Sequence, residues 1–92
     1  MWTIYKYPVD SEMFLDLPMD ARPLAIQSQF DTPQLWMLLD PDAPPIRRHF
    51  CCYGTGQPIE KPEGLQYLGT FQMSKGRFVF HLFERDPPLH DE

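Results

Sequence analysis

No stretch of this chain carries a clean helical stripe. Its 92 residues include eleven prolines, at positions 8, 18, 23, 33, 41, 44, 45, 58, 62, 87 and 88. Proline lacks a backbone N–H and is kept out of helix interiors and central strand positions, so these residues cut the chain into short pieces and exclude long helices. Basic charge is also scarce. The net charge is −5, and unspecific nucleic-acid binding, which needs a basic footprint, is disfavoured. There are two cysteines, Cys51 and Cys52, and they are adjacent. Neighbouring side chains on a strand point to opposite faces, which argues against a disulfide between them and for reduced, intracellular thiols. No run approaches the roughly 20 apolar residues that a membrane span needs. The start, Met1-Trp2-Thr3-Ile4-Tyr5-Lys6, lacks the long apolar segment of a secretory signal.

What the chain does have is apolar material at strand spacing. The apolar share is 42%, with two Trp, four Tyr and seven Phe, and aromatic side chains bury large areas in a small core. One domain over residues 1–92 is expected at this length. Alternation marks strands at residues 2–7, 24–30, 46–53, 65–73 and 77–84, with a short edge strand at 13–17. Residues 34–39 are apolar on both faces and belong centrally in a sheet. Within 24–30, Leu24, Ile26, Ser28 and Phe30 share one face; within 65–73, Leu65, Tyr67, Gly69, Phe71 and Met73 do. Asp31-Thr32-Pro33 and Ser74-Lys75-Gly76 read as hairpin connections. Tyr53-Gly54-Thr55-Gly56-Gln57-Pro58-Ile59 is a knot where the chain changes direction, opening the longest loop. The expected fold is mainly β and antiparallel, six or seven strands in a twisted sheet or a small sandwich or barrel, with little or no helix and a frayed tail over 85–92.

Candidate chemistry is thin. Gly54-Thr55-Gly56 lacks the lysine and the following helix of a phosphate loop and reads as a tight turn with a threonine hydrogen bond. His49, Cys51 and Cys52 are close in sequence, and His81 would join them only from a neighbouring strand, but neither the spaced ligand pairs of a structural zinc site nor the strand-to-helix elbow of a nucleophile is present. Asp10/Glu12 and Asp40/Asp42 sit in turns, where aspartate commonly caps its own backbone. No cofactor, no metal and no catalytic residue are expected. Charge is uneven: residues 1–45 carry seven acids and two bases, and residues 46–83 carry five bases and two acids. An acidic half suits a basic protein surface. Asp10, Glu12, Asp16, Asp20, Asp40 and Asp42 are the candidate contacts, with Arg47 and Arg48 as the sharpest basic pair.

Several motifs carry a family resemblance. Ile4-Tyr5-Lys6-Tyr7-Pro8, Leu35-Trp36-Met37-Leu38-Leu39-Asp40-Pro41, Tyr53-Gly54-Thr55-Gly56-Gln57-Pro58-Ile59, Tyr67-Leu68-Gly69-Thr70-Phe71 and Phe80-His81-Leu82-Phe83-Glu84 together resemble a family of small phage and prophage proteins. Within that setting the chain is similar to type I-F anti-CRISPR proteins. The resemblance implies a non-enzymatic, monomeric inhibitor in the cytoplasm of an infected bacterial host. It would dock on the RNA-guided surveillance complex, Cascade, and block pairing of target DNA with the guide. Such complexes hold nucleic acid in basic channels, which the six acids would meet while Arg47 and Arg48 touched the guide backbone. The alternative is an accessory or structural phage protein that self-associates through sheet edges. A small enzyme or metal protein using His49, Cys51 or Cys52 is the third reading.

Overall fold

The computed structural model describes residues 1–87, so residues 88–92 of the expected tail lie outside the described part. Seven strands form: β1 (Thr3–Pro8), β2 (Glu12–Pro18), β3 (Arg22–Gln29), β4 (Thr32–Leu39), β5 (Pro45–Gly54), β6 (Leu65–Met73) and β7 (Phe78–Arg85). They make two antiparallel sheets, one of three strands in the order β1-β4-β3 and one of four in the order β2-β5-β7-β6. No helix occurs among the described residues, so none is present there to cross a membrane. Arg85 closes β7, opposite His49 and Leu65, rather than starting a tail.

The two sheets pack face to face around Leu17, Ile26, Leu35, Met37, Leu39, Phe50, Phe71 and Leu82. The run apolar on both faces, residues 34–39, takes the central place expected of it, and β7, whose residues are also apolar on both sides, is central too. β4 lies between β1 and β3, and β7 between β5 and β6. In β5 the alternation holds throughout: Phe50 points into the core at 0% exposure, and Arg48 lies on the same face.

Two strands depart from simple alternation, each at a bulge. Pairing of β3 with β4 shifts between Pro23 and Ala25. Leu24 therefore leaves the face of Ile26 and is 51% exposed. Pairing of β6 with β7 shifts between Tyr67 and Gly69. Leu65 and Tyr67 thus face outward while Gly69, Phe71 and Met73 face the core. An extra residue in one strand moves every later side chain to the other face. Phe30 is a third departure: it is not the last inward residue of β3 but the first residue of a two-residue turn, Phe30-Asp31, closed by pairing of Gln29 with Thr32. Gly76 has the expected positive φ of 87°, in a connection that runs from Ser74 to Arg77.

On one side the sheets close together. The Ser28 hydroxyl of β3 donates to the Gln72 carbonyl of β6 at 2.7 Å. A Cβ at Gly69 would stand 2.5 Å from Ile26 Cγ2, so this approach of β6 to β3 needs a residue with no side chain. The glycine knot also has a structural task. Thr55 N–H donates to the Val79 carbonyl at 3.1 Å, and Gln57 Oε1 accepts from Gly54 N–H at 2.9 Å.

Candidate partner-docking site

The strand register decides which of the candidate charges meet. Pro18 at the end of β2 pairs with Pro45 at the start of β5, and Met19 N–H donates to the Pro44 carbonyl at 2.8 Å. The β2–β3 turn and the β4–β5 turn are therefore neighbours at one pole of the sandwich. Asp20, Asp40 and Asp42 lie in these turns, and Asp16 stands just below them on the outer face of β2. Asp10, in the β1–β2 connection, and Glu12, the first residue of β2, lie at the opposite pole. Four of the six acids are brought together and two are not.

Local chemistry explains the turns. Ala21 N–H donates to the Pro18 carbonyl at 3.1 Å, and Asp20 has a φ of 68°, a conformation that aspartate tolerates better than most residues. Asp40 Oδ1 accepts from Asp42 N–H at 3.1 Å and from the Met1 amine at 3.3 Å. These bonds, the backbone one foremost, hold the Asp40 carboxyl below its ordinary value of 3.8. Asp42 is 90% exposed.

Exposed apolar side chains surround the same turns. Trp2 is 46% exposed, Met19 44% and Ile46 41%, and the Arg22 guanidinium lies 5.8 Å from the Trp2 ring centre. Apolar anchors amid a charged rim are the composition of a protein-binding patch, and tryptophan is enriched among residues that dominate such interfaces. Sequence reading picked out the acids and missed these three. Trp2 and Ile46 counted only as members of a strand face, and their place at the end of the sandwich leaves them exposed.

The two arginines part company. Arg47 is exposed on the outer face of β5, across the ladder from Asp16, with its guanidinium 5.5 Å from the Phe14 ring centre. Arg48 points inward. Its Nε and Nη2 donate to the two Glu84 oxygens at 2.6 and 2.7 Å, and its Nη1 donates to the Ala21 carbonyl at 2.6 Å. Both side chains of this pair are 13% exposed. Arg48 therefore leaves the set of candidate contacts, because its guanidinium joins two strands and the β2–β3 turn from within.

The outer face of the four-stranded sheet holds His49 and His81. His49 is 1% exposed; its ring stacks on Phe14 with centres 4.2 Å apart, and Nε2 lies 3.1 Å from Glu12 Oε2. His81 Nε2 lies 2.8 Å from Thr55 Oγ1, and its Nδ1 lies 3.2 Å from both the Tyr67 hydroxyl and Thr70 Oγ1. Tyr67 and Thr70 also bond each other. The threonine hydrogen bond expected of the knot is present and reaches a histidine, which the sequence did not indicate. Burial raises the Cys51 thiol, and burial with its neighbour Cys51 pushes Cys52 up to about 11. Both thiols stay protonated at neutral pH, when the thiolate is the nucleophile and metal ligand. Among the described residues no three His, Cys, Asp or Glu side chains converge as metal ligands.

Comparison with known proteins finds one family. A domain of unknown function, DUF7352, matches residues 1–91. No curated protein and no solved structure matches the chain.

Proposed function

The chain belongs to the family described as a domain of unknown function, DUF7352, and from that premise we propose that it is a non-catalytic binding protein whose acidic pole docks on a basic partner surface. The observation that carries this reading is the grouping of Asp16, Asp20, Asp40 and Asp42 around exposed Trp2, Met19 and Ile46. Protonated thiols and a His49 engaged with Phe14 and Glu12 favour a binding role over catalysis. The resemblance to type I-F anti-CRISPR proteins names the partner: the RNA-guided surveillance complex of a bacterial host, met in the host cytoplasm, with loss of target DNA binding as the effect. A standard interface takes about 800 Å² from each partner, within reach of a domain this small.

The test is capture of the surveillance complex by tagged protein from bacteria with an active type I-F system, followed by target-DNA binding by the captured complex. Capture with loss of DNA binding is expected. Reversing Asp16, Asp20 and Asp42 to lysine should then slow association at low salt by about tenfold or more, because charges at an interface rim act mainly on encounter. Unchanged association would remove the acidic pole from the mechanism. No capture would remove the inhibitor reading, leaving an accessory phage protein as the alternative.

A further inference from the structure

The pole opposite the acidic turns carries an unusual residue. Phe30 opens the β3–β4 turn with a φ of 52°, followed by Asp31 at 61°. Positive φ at both central positions is the mark of a type I′ turn, which favours Asn-Gly or Asp-Gly. For a bulky residue this backbone is strained. The strain brings no packing within the chain, since Phe30 is 97% exposed. The neighbouring hairpin presents a second ring, Phe78, 55% exposed.

Beside these rings the sandwich opens into a cleft of about 340 Å³, whose apolar wall is Val9, Pro33, Cys52, Phe71, Met73 and Phe80 and whose polar lining is Asp10, Ser11 and Gln57. An enclosed apolar cavity of about 150 Å³ is enough to hold benzene, so this cleft has the volume for a phenyl ring. The Phe30 turn is fixed in relation to it. Asp31 Oδ1 accepts from Ser74 N–H at 2.9 Å, next to Met73, and Val9 N–H donates to the Pro33 carbonyl at 2.9 Å. With its side chain so exposed, Phe30 does not fill the cavity of its own chain.

We infer that this pole is a self-association surface, on which Phe30 of one copy enters the Val9–Phe80 cavity of a second copy and receives that copy's Phe30 in return. A two-fold dimer requires one patch to carry both knob and hole, and here a single pole does. Charge is self-complementary as well: exposed Lys75 and Arg77 flank the knob, while Asp10 lies at the cavity rim and Asp31 in the turn. The arrangement replaces the expected monomer and leaves the acidic poles at the two far ends of the dimer, so it stands or falls independently of the docking proposed above.

Sedimentation velocity on the full chain, from about 1 to about 500 µM to cover a small and transient interface, tests it. The wild type should pass from monomer to dimer. Phe30→Asn should stay monomeric over the whole range with an unchanged or higher Tm, because asparagine accepts the left-handed turn. Ser11→Trp, at the exposed rim of the cavity, should also stay monomeric, and it carries the test alone if Phe30→Asn does not fold. A wild type that remains monomeric overturns the inference. So does a dimer that survives both substitutions, which would point instead to the free edge of β1.

Discussion

Gly69 and Cys52 are the residues whose surroundings make the firmest demands. A methyl group on Gly69 would press on the β-branched Ile26, which is 8% exposed and has little room to yield. Overpacking of this kind typically costs about 1–3 kcal/mol. Gly69→Ala should therefore unfold at lower urea, and the double variant with Ile26→Ala should lose less than the sum of the two single losses; an equal midpoint for Gly69→Ala and wild type would contradict the close approach of β3 and β6. Cys52 titrates near 11 in the fold against an ordinary 9.0. Its thiolate is disfavoured by folding, so its contribution to stability is fully present below pH 9 and is lost as pH rises towards 11. Alkylation by iodoacetamide at pH 7.5 should be much slower than for a free thiol, and fast modification of the folded protein would refute that environment.

Among the elements, β5 is tied to its surroundings from within by Arg48. It links β5 to Glu84 of β7 and to the carbonyl of Ala21 beyond β2. Removing one partner of a buried pair leaves the other charge unsatisfied and costs about 3–5 kcal/mol. With both side chains slightly exposed, Arg48→Met should lose about 3 kcal/mol by chemical denaturation. Arg48→Met/Glu84→Met should be more stable than the single variant, and additivity of the two changes would mean that the pair is not coupled. The arginine pair shows where sequence reading stops. Alternation correctly separated Arg47 from Arg48 and implied that one of them was outward. Which face was the core depended on Phe50 joining buried residues from strands far away in sequence, so the outward arginine could not be chosen beforehand.

Across the whole molecule, the candidate acids are divided between the two ends of the strands, and at the first end Arg22, Arg47 and the Met1 amine stand among them. Asp16, Asp20, Asp40 and Asp42 occupy one pole, while Lys75 and Arg77 stand at the other near Asp10 and Asp31. Exposed charges more than a Debye length apart, about 8 Å at physiological salt, are largely screened from one another. Reversal of Asp16, Asp20 and Asp42 should thus weaken partner binding without changing dimerisation or shifting Tm by more than a few degrees. A coupled loss of dimer and of docking would show that the poles are not independent.

Fold class, strand positions and the central place of β4 were legible in the residues alone. A period of two and a run apolar on both sides are local signals that any strand must carry. The punctuation was legible too, since proline and glycine restrict the backbone wherever they occur. The division of seven strands into sheets of three and four, the bulges at Leu24 and Leu68, the turn at Phe30 and the grouping of four acids around Trp2, Met19 and Ile46 came only from the tertiary structure. Each depends on which distant strands pair and in what register, and that choice is made by packing between segments rather than by any segment's own sequence.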